Sequence, residues 1–337
     1  MAAITEADQI SDIAFGFMGS KALFVALDHQ IFTHLSKGAA DVDEISEKTG
    51  LHPDRAETLL TALAGLGLLT VSDGRFANAP GAEVFLVQGA KYDFGDYLRL
   101  QVGRQMYGLI SQLGAAISGN MPPDATVSYE DWFEDAEEAR LYSESQHAGS
   151  LGPARQVTKK VDLSGARTLL DVGGGTGAFA ITLCQAFPEL TATVVDFANV
   201  SKLGRRYVDE AGLSDRIRYV DGNALRTDWP DGQDIVMMSY LLSGVPGSEH
   251  DGLVARAYHH LVPGGRLLIH DFVVEADRSG PKLAALWQLQ HTAFTPEARS
   301  VDAAGLSNLL SGAGFAETEV IEMIPAMTKL AVGRRPT

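Results

Sequence analysis

The stretch TLLDVGGGTGAF (residues 168–179) places a glycine-rich segment directly after a short apolar run. Glycines let a backbone turn tightly and approach a ligand, and a helix after them would point its first amides at the same place. Four further apolar runs follow at helix-length intervals: TATVVD (191–196), RIRYVD (216–221), DIVMMS (234–239) and RLLIHD (266–271). Strands that alternate with helices form parallel sheets with right-handed crossovers, so the second half of the chain is predicted to be an α/β domain.

A ligand of this sheet is expected beyond the carboxyl ends of its strands, where the glycines lie. Asp196 ends the second strand, where a carboxylate can bind both hydroxyls of a ribose. Asp171 places an anion where the ammonium group of S-adenosylmethionine (SAM) would lie, and a pyrophosphate would be repelled there. The dinucleotide pattern G-x-G-x-x-A also fits Gly173, Gly175 and Ala178, so the loop alone leaves NAD open. Asp171 favours SAM.

Composition limits the class of protein. The 337 residues carry 27 Lys and Arg against 43 Asp and Glu, a net charge of −16, and 45% of them are hydrophobic. This favours a globular protein of two domains and argues against nucleic-acid or anionic-membrane partners. A single cysteine, Cys184, excludes a disulfide framework and a multi-cysteine metal site. Early acidic residues and the absence of an apolar run near 18 residues predict no signal peptide, no membrane span and a cytoplasmic location.

The first ninety residues show the order of a winged helix. Three helix patterns precede LLTVSDGRFANA (68–79), which predicts a β-hairpin turned at Asp73-Gly74. The segment has five Lys and Arg against twelve Asp and Glu, a net charge of −7, which disfavours DNA binding. We therefore predict a dimerisation domain at 1–90, connecting helices that contribute to an acceptor pocket at 91–160, and a SAM-binding domain at 161–337.

At these motifs the chain resembles the small-molecule O-methyltransferases of the caffeate and acetylserotonin type. The resemblance spans nearly the whole chain and is carried by LLDVGGGTG (169–177), VVDF (194–197), VDGNA (220–224), LVPGGRLLIHDF (261–272) and ARSVDAAGLSNLLSGAGF (298–315). It implies a Rossmann-like class I methyltransferase sheet that ends in an antiparallel hairpin (316–322 and 327–334). It also implies a mainly helical, winged-helix-like N-terminal domain that forms a homodimer, each copy contributing to the other's acceptor pocket.

The resemblance further implies which residues bind SAM. They are Asp171, Gly173, Gly175, Asp196, Asp221, Gly222, Asn223, Ser239 and Tyr240. The loop glycines would line the methionine part and Asp196 would bind the ribose, while Ser239 and Tyr240 would close the pocket below the sulfonium. Residues 221–223 would lie against adenine. The family usually has Gly-Asp where this chain has Gly-Asn, and an asparagine can still accept a hydrogen bond from the adenine amino group.

The general base of this family is missing from the chain. After the fourth strand the family normally reads LH-(D/N)-W-x-D, and its His removes the acceptor proton. Here YLLSGVPGSEH (240–250) puts Ser243 at the His position. A serine of ordinary acidity is no general base at neutral pH, and His250 lies too far along the chain to replace the missing histidine. The family's second acidic helper aligns with Asp271.

Three hypotheses account for this departure. A thioether sulfur is already a neutral nucleophile, so its methylation needs only positioning and desolvation. Alternatively, His291, His147 or His270 acts as a substitute base for an oxygen acceptor. In the third hypothesis these histidines and Asp271 hold a metal that acidifies an α-keto acid for C-methylation, although His270 and Asp271 point to opposite faces of their strand. The missing base is also compatible with a non-catalytic homologue that binds SAM without turnover. We adopt the first hypothesis and assign no metal ligand.

A polar rim is predicted for the acceptor pocket. Its residues would be Arg104, Tyr107, Tyr142, Gln146, His147, Trp287, Gln290 and His291. Arg104, or His147 with Tyr142, could bind the carboxylate of a hydroxy acid, and an aromatic face would favour a sulfonium. The candidate catalytic residues are His291, Asp271, Tyr142 and His147. With its polar pocket rim and its missing base, the chain is similar to the bacterial methylthiohydroxybutyrate S-methyltransferases of dimethylsulfoniopropionate synthesis. The predicted acceptor is therefore 4-methylthio-2-hydroxybutyrate.

Overall fold

The computed structural model describes residues 3–122, 125, 128–295 and 297–337. The chain divides into two compact units, Met1–Gln105 and Met106–Thr337. The expected domain boundaries at residues 90 and 160 both fall inside these units, so the three-part division of the chain stays a prediction.

The first unit is mainly helical and carries a short β-hairpin. Its elements are α1 (Ala7–Asp28), α2 (Ile31–Leu35), α3 (Val42–Thr49), α4 (Pro53–Gly65), β1 (Leu69–Ser72), β2 (Arg75–Asn78), α5 (Pro80–Phe85) and a π-helix (Tyr97–Met106) whose last residue belongs to the second unit. Asp73 and Gly74 both have positive φ, as a two-residue hairpin turn between right-twisted strands requires. Ile31, Ile45 and Leu60 lie in the buried core of this unit. The predicted order of helices followed by a hairpin is therefore present.

Helix α1 exposes much of its apolar surface. Ile10, Ile13 and Phe15 are 60%, 68% and 61% exposed. By length and composition alone, α1 could cross a membrane. Asp8, Asp12 and Lys21 interrupt its apolar residues, and the expectation that the chain has no membrane span stays a prediction. A single such helix near the N-terminus is weak evidence for a span, because exposed apolar surface also marks protein–protein interfaces.

The second unit begins with several short helical segments and one long helix. They are α6 (Tyr107–Leu109), a 3₁₀ turn (Ile110–Gln112), α7 (Leu113–Ile117), α8 (Tyr129–Trp132) and α9 (Ala136–Lys160). Helix α9 begins after Asp135, whose carboxylate accepts hydrogen bonds from the backbone amides of Glu137 and Glu138. This cap fixes the start of the helix that carries Tyr142, Gln146 and His147.

Strands and helices then alternate, as the sequence predicted. The strands are β3 (Thr168–Val172), β4 (Thr191–Asp196), β5 (Ile217–Asp221), β6 (Gln233–Ser239), β7 (Leu261–Val274), β8 (Val301–Asp302), β9 (Ala316–Ile324) and β10 (Thr328–Arg334). The helices are α10 (Ala178–Ala186), α11 (Ala198–Glu210), α12 (His250–His260), α13 (Lys282–Phe294) and α14 (Ala303–Gly312). Within the described residues the sheet order is β5-β4-β3-β6-β7-β10-β9, and β8 pairs with β7. Strand β10 is antiparallel to both β7 and β9, which confirms the predicted final hairpin.

The parallel strands end at a common edge of the sheet. Val172 of β3 pairs with Val195 of β4 and with Met238 of β6, and all three side chains are fully buried. Asp196 at the end of β4 pairs with Asp221 at the end of β5. Because apolar side chains fill the sheet up to this edge, the polar residues that follow lie together just beyond it, where ligands of such sheets bind.

Candidate active site

A cavity of about 340 Å³ lies beyond the carboxyl ends of the parallel strands. Gly173 follows β3, Asp196 ends β4, Gly222 follows β5 and Ser239 ends β6, and all four line the cavity. Its volume lies in the range of small-molecule and cofactor sites. Tyr240, the remaining residue expected below the sulfonium, also lines it and has a positive φ of 56°.

Asp196 and the glycine loop form one hydrogen-bonded unit. Asp196 Oδ2 accepts a hydrogen bond from the backbone amide of Gly175 at 2.7 Å, and Asp196 Oδ1 accepts one from the backbone amide of Phe197 at 2.8 Å. Gly173 and Gly175 have φ of 64° and 59°, a conformation that favours glycine. No heavy atom lies within 4 Å of where a Cβ on Gly175 would stand, so the backbone is open to a ligand there. Burial raises the pKa of Asp196 to about 6, against the opposing effect of the two amides.

Asp171 lies beneath the loop and does not line the cavity. Its side chain is fully buried, and a Cβ built on Gly174 would lie 2.6 Å from its Cγ. Burial, together with the charge of Asp196, raises the pKa of Asp171 to about 7. In this structure strand β3 turns the carboxylate away from the cavity, and its expected place opposite the methionine ammonium stays a prediction.

At the adenine end, the structure separates the three predicted residues. Gly222 and Asn223 line the cavity, whereas Asp221 is exposed and pairs with Arg205 at 2.6 Å. The contact of Asp221 with adenine is therefore not supported, because the last residue of β5 points away from the cavity. Asn223 Nδ2 donates a hydrogen bond to Glu130 Oε2 at 2.8 Å, and Glu130 was not among the residues predicted for the site.

Ser243 occupies the place expected for a base and is almost completely buried. Its backbone amide donates to Asp271 Oδ2 at 2.9 Å, while the amide of Phe272 donates to Oδ1 at 2.7 Å. Burial raises the pKa of Asp271 to about 6, and these hydrogen bonds act in the opposite direction. Asp271 does not line the cavity. In this structure Asp271 holds the loop after β6 through these two hydrogen bonds, and its catalytic role stays a prediction.

His291 lies on α13, close to this loop. It is 3% exposed, and a Cβ built on Gly244 would lie 3.5 Å from its Cε1. Neither ring nitrogen has a hydrogen-bond partner among the described residues. Burial lowers its pKa to about 3, so the imidazole is neutral at physiological pH. Trp287 stacks on Phe272 at a centroid distance of 4.7 Å, and neither Trp287, Gln290 nor His291 directly lines the cavity.

The two other candidate histidines are held by structural contacts. His147 Nδ1 is 2.7 Å from Thr176 Oγ1, and its ring stacks on Tyr207 at 4.0 Å. His270 lies fully buried between Ser239 Oγ at 3.0 Å and Thr328 Oγ1 at 2.9 Å. Burial lowers the pKa of His147 to about 4 and that of His270 to about 3. Neither lines the cavity, so these contacts give no support to the roles expected for them as bases or metal ligands, or for His147 in acceptor binding, and those roles stay predictions.

Tyr142 and Gln146 line the cavity as predicted. Gln146 Nε2 donates to Tyr142 Oη at 3.3 Å, and Tyr142 Oη lies 3.2 Å from Tyr129 Oη. Burial, and to a smaller extent Tyr142, raises the pKa of Tyr129 well above its usual value. Tyr129 and Phe133 also line the cavity and were not among the predicted residues, although YEDWF (129–133) after a Gly/Pro break is an aromatic cluster typical of a cavity wall.

The remaining predicted pocket residues are Arg104 and Tyr107. Arg104 is an exposed residue of the π-helix in the first unit, and its part in acceptor binding stays a prediction. Tyr107 begins α6 in the second unit and does not line the cavity. In the part of the chain that the structure describes, no group of three or more His, Cys, Asp or Glu side chains is arranged to hold a metal ion.

Comparison with known proteins identifies the family. The sequence model of the O-methyltransferase domain matches residues 121–316, and that of the O-methyltransferase dimerisation domain matches residues 11–88. The chain is a SAM-dependent methyltransferase with the class I fold and an N-terminal dimerisation domain. It belongs to the small-molecule O-methyltransferase family, as the motifs indicated.

Individual relatives cover nearly the whole chain. It is 31% identical over 312 residues to the 3-hydroxy-5-methyl-1-naphthoate 3-O-methyltransferase of Streptomyces sahachiroi, covering 93% of this chain and 90% of that protein. It is 29% identical over 281 residues to an N,N-dimethyltransferase of Streptomyces rimosus, covering 82% and 81%. Human N-acetylserotonin methyltransferase, solved in complex with SAM, superposes with a TM-score of 0.87 at 22% identity over 100% of both chains. Since relatives are named as both O- and N-methyltransferases, membership leaves the acceptor atom open.

Proposed function

We propose that this enzyme methylates a neutral nucleophile, and specifically the sulfur of a small thioether hydroxy acid such as 4-methylthio-2-hydroxybutyrate. The observation that carries the proposal is the loop after β6, where Ser243 replaces the base and is buried against Asp271. Among the described residues that line the cavity there is no histidine or lysine. A thioether needs no proton removed, so positioning and exclusion of water suffice.

The cavity residues have separate tasks in this proposal. The glycine loop and Asp196 hold SAM, which when bound supplies an electrophilic methyl group on a sulfonium. Tyr129, Phe133 and Tyr142 present an aromatic wall, which excludes water and stabilises the positive charge that develops on the acceptor sulfur as the methyl group leaves the sulfonium of SAM. The Tyr142 hydroxyl, supported by Gln146, is placed to donate a hydrogen bond to an oxygen of the acceptor.

A second candidate is O-methylation of a small hydroxylated molecule, with His291 as the substitute base. One observation favours it: His291 is close to Gly244, and both its ring nitrogens lack partners among the described residues. The relative from Streptomyces sahachiroi is named for the methylation of a hydroxynaphthoate. A metal-assisted C-methylation has less support, because hydroxyl groups occupy both nitrogens of His270.

The experiment that tests the proposal measures release of S-adenosylhomocysteine (SAH) by mass spectrometry. The acceptors are 4-methylthio-2-hydroxybutyrate, a catechol, a simple phenol, a hydroxynaphthoate and an α-keto acid. Turnover of the thioether to a permanently charged product is the expected result. Turnover of only an oxygen acceptor or the keto acid would refute the sulfur proposal, and SAH binding without any turnover would favour a non-catalytic homologue.

We further propose that the enzyme is a cytoplasmic homodimer. The dimerisation domain match at 11–88 and the exposed apolar face of α1 support the dimer. The absence of a basic surplus supports a small molecule, and not a nucleic acid, as the partner of the active site.

A further inference from the structure

Helix α8 forms one wall of the cavity. Ser128 caps this helix, because its Oγ accepts a hydrogen bond from the backbone amide of Asp131 at 3.1 Å. The rings of Tyr129 and Phe133 pack with their centroids 5.4 Å apart. Glu130 is the acidic side chain that this wall brings to the cavity. Its carboxylate is therefore anchored by a capped turn and an aromatic cluster.

Glu130 joins this wall to a second wall of the same cavity. Its Oε2 accepts a hydrogen bond from Asn223 Nδ2 at 2.8 Å and another from the guanidinium of Arg226. Asn223 and Arg226 both line the cavity just after β5, more than 90 residues further along the chain. One carboxylate oxygen therefore connects two walls that are far apart in sequence.

The amide of Asn223 has the chemistry that this connection needs, because it is both a donor and an acceptor. Its Oδ1 accepts from the backbone amide of Leu225 at 2.9 Å, so its Nδ2 is the group that donates to Glu130. An aspartate at position 223 would keep the first hydrogen bond. It would also place a second carboxylate against Glu130, and like charges at that distance repel each other. The connection therefore depends on an amide at this position.

We propose that Glu130 is a cofactor-positioning residue: by holding Asn223 and Arg226, it closes the cavity around the adenosine end of SAM. The proposal rests on the assignment of this cavity to SAM and is independent of the acceptor. The side chains of Arg226 and Glu130 are 70% and 44% exposed, and such a pair contributes little by itself. Most of the coupling between the two walls therefore runs through Asn223.

A double-mutant cycle on SAH affinity, measured by titration calorimetry, tests this proposal. Asn223→Asp is expected to weaken SAH binding about 5- to 20-fold, because repulsion opens the connection. Adding Glu130→Gln to that variant is expected to recover the affinity to within about threefold of wild type, since the glutamine amide donates to the new carboxylate. Glu134→Gln is the matched control, because it removes an exposed charge from the same segment without touching Asn223.

A second readout is hydrogen exchange at residues 129–132, with and without SAH. We expect SAH to slow this exchange in wild type and in Glu134→Gln, and to have a much smaller effect in Glu130→Gln. The proposal would be overturned if the effects of the two substitutions on SAH affinity were purely additive. It would also be overturned if SAH slowed hydrogen exchange equally in wild type, Glu134→Gln and Glu130→Gln. Failure of the wild type to bind SAH would instead overturn the assignment of the cavity to SAM, and the proposal with it.

Discussion

Replacing His291 by glutamine separates base-free transfer from catalysis by a substitute base. Burial lowers the pKa of His291 to about 3, whereas a phenolic hydroxyl has a pKa of about 10. Moving a proton from such a hydroxyl to this imidazole would therefore cost about 10 kcal/mol, at 1.36 kcal/mol for each pKa unit. An unfavourable proton-transfer free energy of that order makes His291 a poor base toward such a hydroxyl. We expect His291→Gln to lower kcat on the thioether less than about 10-fold, through lost positioning alone.

The assay is SAH release with 4-methylthio-2-hydroxybutyrate, with kcat and KM measured between pH 6 and 9. Because a thioether does not ionise in this range, the kcat of both proteins should show no rising limb from deprotonation of the acceptor. His259→Gln, an exposed histidine outside the cavity, is the control, and thermal melts show whether each variant is folded. A loss of about 10²- to 10⁴-fold in kcat for a folded His291→Gln protein would refute the reasoning.

Three further predictions concern stability and assembly. Because burial raises the pKa of Asp171 to about 7, its contribution to stability is full below pH 4 and is lost as the pH rises to 7. The free energy of unfolding of SAM-free protein, measured in urea, should fall over that interval, and Asp171→Asn should reduce the slope; equal slopes would contradict this. A Cβ on Gly204 would stand 2.1 Å from Tyr219 Oη, so Gly204→Ala should destabilise the protein by about 1–3 kcal/mol. Gly252→Ala, with no heavy atom within 4 Å, should be neutral or stabilising in the same urea titrations, and similar effects of both changes would count against the packing argument. Ile13→Glu should convert a dimer to monomers in light scattering, since Ile13 is 68% exposed on α1, and an unchanged dimer mass would place the interface elsewhere.

The fold and the cofactor could be predicted because their signals are local. An apolar strand must be buried over its whole length, and glycine is the residue favoured at the positive φ of Gly173 and Gly175. Asp196 could be assigned for a related reason: it is the last residue of a strand whose neighbours end at the same edge of the sheet. Such features follow from spacing along the chain, and the family motifs agree with them.

Which side chains reach the cavity was decided by tertiary structure. His147 and Gln146 are neighbours on α9, yet one stacks on Tyr207 and the other lines the cavity. His270 became a core residue because two hydroxyl groups from other strands meet its ring. Sequence spacing does not define these directions, because they depend on how separate elements pack.

The sequence by itself therefore determined an α/β methyltransferase with a glycine loop for SAM, because its strands and this loop are formed by consecutive residues. That Ser243 stands in place of a base follows from the family motif and stays a prediction. The structure alone brought Glu130 to Asn223 and buried His291 beside Gly244. These contacts join residues dozens of positions apart. Their energies arise only when packing removes the side chains from water and fixes their distances.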